Sequence, residues 1–178
     1  MNDVDTIASL YVFRSVARPE IEALCALAPP QDFAVDSVIF RQGEPADHAL
    51  LVVEGRLEAT VEAGGKIRRV GEIGPGEVVG EQALFHTEGR RSATVAALQP
   101  SRCLVVSRSL LEKGGENKAV VALETYLLGS LARRIRSTNR TLMQAWKEAT
   151  PKPTMLETAA PTTTSLLQSL RRLFGGQT

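Results

Sequence analysis

Charge of one sign is missing from this sequence as a whole: 21 Lys and Arg stand against 20 Asp and Glu, a formal net charge of +1. That balance does not advertise a nucleic-acid partner for the whole molecule. Long apolar runs are missing as well. None approaches the roughly 20 residues that cross a bilayer, so no membrane span is expected. The opening MNDVDTIASLYVF carries two Asp and no basic residue, so it lacks the positive region of a secretory signal. Cysteine is limited to Cys25 and Cys103, each among small apolar residues (ALCALA and SRCLVV). They read as buried free thiols in a reducing cytoplasm, with a disulfide between them as the alternative. The two histidines, His48 and His86, form no metal-ligand spacing with Cys or carboxylates. G-x-S-x-G, P-loop and H-E-x-x-H signatures are absent too. The expectation is a cytoplasmic protein that is not an enzyme, with no metal and no cofactor.

What is present is a succession of three textures in 178 residues, enough for one ordinary domain with residues to spare. Residues 4 to 28 read as helical: Ile21, Leu24, Leu27 and Ala28 recur at helical spacing behind Pro19, and Pro29-Pro30 end the run. From Phe33 to Ser107 short β-branched runs follow one another, VIF, ALLVV, RLEATVE, KIRRVGEI, ATVAAL and CLVVS. Turn signals separate them, and Gly64-Gly65 between two alternating strands predicts a tight hairpin. Many short strands with helices at the ends predict a mainly β fold, a barrel or sandwich flanked by helices.

From about 117 to 148 the period turns helical. Leu128, Leu131, Ile135, Thr138, Leu142 and Ala145 fall at alternating steps of 3 and 4, the seam of a coiled coil. The same helix can cover the domain at its start and pair with a partner's identical helix further on, which predicts a homodimer. After Thr150, PKPTMLETAAPTTTS holds three prolines and five threonines and reads as a linker, 149–165. The segment 166–178 closes with LLQSLRRLFGGQT, whose Leu166, Leu170 and Leu173 share one helical face. It is either a frayed end or a docking peptide, 166–174, that orders on a protein partner.

One stretch, GEQALFHTEGRRSATV from Gly80 to Val95, places a carboxylate and a guanidinium ten residues apart across a compact turn. A short helix behind Gly80 offers unpaired backbone N–H groups, and the planar fork of Arg91 suits two oxygens of one phosphate. Ser92 adds a hydroxyl. Glu81 repels phosphate but accepts hydrogen bonds from sugar hydroxyls, so a ribose carrying a singly charged diester would satisfy both. Taken singly, Glu81 can simply favour a helix dipole and Arg91 can simply pair with Glu88.

Jointly, the pattern resembles the phosphate-binding cassette of the cyclic nucleotide-binding domain family, in the spacing of the bacterial catabolite activator and its relatives. VIFRQGEPADHALLVVEGRLEA and IGPGEVVGE resemble the family's upstream segments, so the likeness covers about residues 13 to 145. It implies an eight-stranded β-roll of the jelly-roll type, with N-terminal helices and a long C-terminal dimerisation helix, all within residues 1–148. It implies cAMP as ligand, with cGMP as the other candidate. By likeness Glu81 binds the ribose 2′-hydroxyl, while Gly80, Gln82 and Ala83 line the ribose-phosphate pocket. Arg91 clamps the cyclic phosphate with Ser92 beside it. LLGSLARRIRSTNRTL resembles the activator's dimer helix, which puts Thr138 and Asn139 against the base and Arg134 toward the pocket's acid; a polar seam residue setting register is the plainer role of Thr138. Val79, Gln82 and Asn139 depart from the family pattern without removing a charge partner. No paired helical pattern of a helix-turn-helix follows the long helix, so direct DNA recognition is not expected. The sequence therefore predicts a free-standing bacterial cyclic nucleotide receptor that signals through a partner. The alternatives are a degenerate fold used for dimerisation, and an adaptor docked through its tail.

Overall fold

The computed structural model describes residues 3–85 and 88–149. Two compact units divide the chain, one up to Arg133 and one from Arg134, and each is described by itself. His86, the tail 166–178 and nearly all of the 149–165 linker fall outside the described residues.

The first unit opens with α1 (Asp3–Ser9), a 3₁₀ turn over Tyr11–Phe13 and α2 (Arg18–Leu27). The helical region predicted over 4–28 is thus broken between residues 10 and 17. Pro19 suits the restart, because its ring fits the first turn of α2, and the N-cap Ala17 is extended. Eight strands follow: β1 (Gln31–Phe33), β2 (Val38–Phe40), β3 (His48–Glu54), β4 (Leu57–Ala63), β5 (Lys66–Ile73), β6 (Val78–Val79), β7 (Thr94–Ala97) and β8 (Ser101–Ser107). A four-residue α3 (Gln82–Phe85) lies between β6 and β7, and α4 (Arg108–Lys113) follows β8. The long α5 (Lys118–Ala149) begins and ends within one residue of the predicted 117–148 helix.

The strands form two four-stranded antiparallel sheets, ordered β1-β8-β3-β6 and β2-β7-β4-β5. This is the eight-stranded roll that the sequence implies. Strand β3 shows why its central run ALLVV carries no polar alternation: it is buried on both faces. Ala49, Leu51 and Val53 pack with Ile7, Leu24, Leu123 and Leu127 of the helices. Leu50 and Val52 face the other way, toward Leu57, Val95 and Ala97 of the second sheet. The β4–β5 hairpin turns on Gly64 and Gly65 at φ 60° and 71°, the two positive angles that a two-residue primed turn requires. Edge strand β5 is mostly exposed and carries Arg68 and Arg69, charges that discourage pairing with another sheet. Cys25 and Cys103 are free thiols, and burial pushes the Cys103 thiol up to about 12, so it stays protonated.

Asn117 holds the head of α5. Its Oδ1 accepts from the N–H groups of Ala119 (2.7 Å) and Val120 (3.2 Å), and its Nδ2 donates to the Glu20 carbonyl (2.9 Å). The Glu20 carboxylate in turn accepts from the Lys118 N–H at 3.0 Å. Asn117→Ala should therefore cost about 1–2 kcal/mol in chemical denaturation, and Asn117→Ser should recover much of it.

In the second unit, the described residues 134–149 are one exposed stretch of α5. Ile135 is 61% exposed and Leu142 45%, and Leu128, one heptad earlier in the first unit, is 60% exposed.

Candidate functional site

Arg91 lies just ahead of β7 and is fixed from its backbone outward. Its N–H donates to the Glu44 carbonyl at 2.8 Å, and its own carbonyl accepts from the Gly43 N–H at 2.8 Å. Beside it, the Ala46 N–H donates to the Gly89 carbonyl (2.9 Å) and Pro45 bridges to Arg90. The QGEPAD turn between β2 and β3 is thus a clasp for the segment carrying the arginine. Glu44 steadies the turn by accepting from the Arg41 N–H at 3.2 Å.

The side chain is held just as firmly. Nη1 donates to the His48 carbonyl at 2.7 Å, and the guanidinium carbon lies 3.5 Å from the centroid of the Phe40 ring. That cation–π contact keeps the planar fork flat against an aromatic wall. Arg91 is only 7% exposed. Burial pushes its pKa down, opposed by the carboxylates of Asp47 and Glu44. Among the described residues, the one carboxylate within 4 Å of the guanidinium is Asp47, at 3.6 Å and itself 86% exposed. A buried cation offset only by carboxylates that stay in water is costly to keep, on the order of several kcal/mol, and an arriving anion offsets that cost. The surface partner Glu88, the plain alternative for Arg91, forms no ion pair with it among the described residues.

Gly80 meets this guanidinium directly. It closes β6 at φ 79°, in the left-handed region that favours glycine. A Cβ there would fall 2.7 Å from Arg91 Nη1 and 3.1 Å from Phe40 Cε2. Only glycine lets the chain pass so close to the arginine. Glu81 follows at 2% exposure, a carboxylate drawn out of water within the same turn. Ala83, 1% exposed, gives its carbonyl to Arg108 Nε (3.2 Å) and Nη2 (2.9 Å), which ties α3 to α4. Leu84 enters the helical core with Leu110, Leu123 and Leu127.

Of the predicted site residues, Gly80, Glu81, Ala83 and Arg91 are gathered here, the first beside the guanidinium and all on the turn that follows β6 or against it. Gln82 and Ser92 are exposed. Arg134, Thr138 and Asn139 lie on the exposed stretch of α5 in the second unit. Phe40, Asp47 and the His48 carbonyl support Arg91 and were not singled out in the sequence. Two clefts outlined by described residues, of about 330 Å³ near Leu27, Val105 and Lys113 and about 430 Å³ near Gln42, Glu62 and Thr94, are lined by neither Glu81 nor Arg91. No group of three or more His, Cys, Asp or Glu among the described residues could hold a metal ion.

The chain is similar to known proteins in sequence and in fold. The family description "Cyclic nucleotide-binding domain" matches residues 30–116. A CRP-like cAMP-activated global transcriptional regulator of Mycobacterium tuberculosis is 27% identical over 139 residues, 78% of this chain and 61% of the regulator. Lysophospholipase nte1 of Aspergillus fumigatus is 34% identical over 113 residues, 59% of this chain and 7% of the lysophospholipase. This chain therefore spans less than two thirds of the length of either. Among solved structures, the Thermus thermophilus catabolite activator protein superposes with a TM-score of 0.64 at 27% identity, covering 75% of this chain and 62% of the other. The N-terminal domain of a transcriptional regulator from Streptomyces coelicolor A3(2) gives 0.58 at 27% identity, over 79% and 95%.

Proposed function

Residues 30–116 make this chain a member of the cyclic nucleotide-binding domain family, and on that premise we propose that it is a receptor for a cyclic nucleotide, with cAMP the first candidate and cGMP the second. The matched domain corresponds to a non-catalytic regulatory module, not to an active site. The observation that carries the proposal is the buried Arg91 laid on Phe40 beside Gly80, a flat cation waiting for one diester charge. Glu81, equally buried and one residue from Gly80, is the acceptor for the ribose hydroxyl. Arg134, Thr138 and Asn139 of α5 are proposed as further ligand-binding residues, with Asn139 able to serve adenine or guanine because its amide both donates and accepts.

Ligand binding is proposed to shift a population of α3 and helix arrangements. Two contacts support this route: Leu84 packs in the same core as Leu123 and Leu127 of α5, and Arg108 grips the Ala83 carbonyl. Any movement of α3 is thereby felt by α4 and the head of α5. The output is proposed to pass through a homodimer on the Leu128/Leu131/Ile135/Thr138/Leu142 seam and through a protein partner, with residues 1–148 as receptor, 149–165 as linker and 166–178 as tail. No helix among the described residues is long and apolar enough to cross a membrane.

Isothermal titration of the purified chain with cAMP and with cGMP tests the receptor reading. Saturable 1:1 binding of either at micromolar concentration supports it. A folded protein that takes up neither would favour a degenerate module kept for dimerisation.

A further inference from the structure

His48 opens β3 at the edge of the proposed phosphate site. Its Nδ1 lies 2.6 Å from Asp47 Oδ1, the same oxygen that faces Arg91 Nη2 at 3.6 Å. Its ring meets Phe40 edge-on at 5.3 Å between centroids, while Arg91 lies over that ring's face. Its backbone carbonyl is the acceptor for Arg91 Nη1. One residue thus touches two groups around the guanidinium, the carboxylate and the aromatic ring, and supplies a third, the carbonyl. The side chain is 33% exposed, so protons reach it from solvent.

We propose that His48 is a positioning residue that makes the affinity of the Arg91 site for an anionic ligand depend on pH, through the Asp47 carboxylate it shares with Arg91. The inference rests on the cyclic nucleotide reading for its ligand, but not for its mechanism.

The sign follows from the charges. Among the described residues, the charged groups facing the cluster are Asp47 and Glu44 from the turn between β2 and β3 and Arg91 from the segment before β7, and the α3 turn packed on β3 carries the buried Glu81. On β8 the strand partner of His48 is the neutral Ser107, and the Arg108 beyond it is turned to the Ala83 carbonyl. The hydrogen bond from His48 holds the Asp47 carboxyl below the usual carboxylate range, so Asp47 stays ionised at both ends of the pH range compared. At the alkaline end Asp47 offsets Arg91 and the trio is neutral. At the acid end the imidazolium takes up the Asp47 charge, and the trio carries one net positive charge. A diester keeps its single negative charge throughout. Binding should therefore be tighter at lower pH, by about three- to tenfold for one added charge near a partly solvated site, and should be accompanied by proton uptake.

The test uses the full chain carrying His86→Gln, so that a single imidazole titrates. Titration with cAMP at pH 5.5 and at pH 8.0 should show the tighter binding at pH 5.5, and His48→Gln should remove the difference. An undiminished difference in His48→Gln would overturn the proposal. The arm without ligand follows the Arg91 side-chain Nε–H resonance by NMR. It should move with the histidine titration, and the movement should be lost in His48→Gln and reduced in Asp47→Asn, whose exposed position makes misfolding no concern. A resonance that stays still in the parent protein would sink the inference. If the parent binds neither cAMP nor cGMP at either pH, the receptor reading fails, and the Arg91 resonance still decides the coupling.

Discussion

Replacing Arg91 by alanine should weaken cyclic nucleotide binding by at least about a hundredfold, a loss on the order of 3 kcal/mol or more, with the fold retained. The size of the effect comes from desolvation. The diester would enter a site where Arg91 is 7% exposed, so its charge would be removed from water with no cation to receive it. The variant also frees the His48 carbonyl and the Phe40 face, at a cost of about 1 kcal/mol in stability. Losing a buried cation whose carboxylate neighbours stay in water offsets that cost. Arg91→Lys should restore little affinity, because an ammonium neither lies flat on Phe40 nor offers two parallel donors. Calorimetric titration measures the loss, and thermal unfolding shows that the fold survives. Unchanged affinity in Arg91→Ala would mean that the ligand binds elsewhere.

Ile135→Asp should convert a dimer into a monomer, with its dimer dissociation constant raised about a hundredfold or more. Leu128, Ile135 and Leu142 recur at seven-residue steps and are 60%, 61% and 45% exposed, a row of large apolar side chains on one helix face. In a single chain, aspartate at an exposed position costs well under 1 kcal/mol. Across a symmetric seam it places two carboxylates face to face among leucines, which is strongly unfavourable. Sedimentation velocity separates the cases. A wild-type dimer and a monomeric, normally folded variant support the seam, whereas identical sedimentation of the two proteins would exclude it.

The sequence made the strands legible because β-branched runs are short and glycines mark their ends; the Gly64-Gly65 hairpin is one such case. The long helix was legible through its period. Less visible were α4, a single capped helix of six residues whose N-cap Ser107 ends a strand, and β1, three residues behind two prolines. The core of the site could be read because a glycine, a carboxylate and an arginine at fixed spacing describe a turn of one shape. Its supporting shell could not. Phe40, Asp47 and the clasp over residues 43–46 reach Arg91 only through pairing between segments some forty residues apart, and register of that kind leaves no local mark in composition or period. The exposure of Gln82 and Ser92 is likewise set by which way the turn faces. The two units leave Arg134, Thr138 and Asn139 identified by likeness alone.

The most direct measurement is a crystal structure of the chain grown with excess cAMP. The account predicts the diester oxygens within hydrogen-bond distance of the Arg91 guanidinium and a ribose hydroxyl on the Glu81 carboxylate. Nucleotide bound elsewhere, with Arg91 still shared between Phe40 and the His48 carbonyl alone, would contradict it.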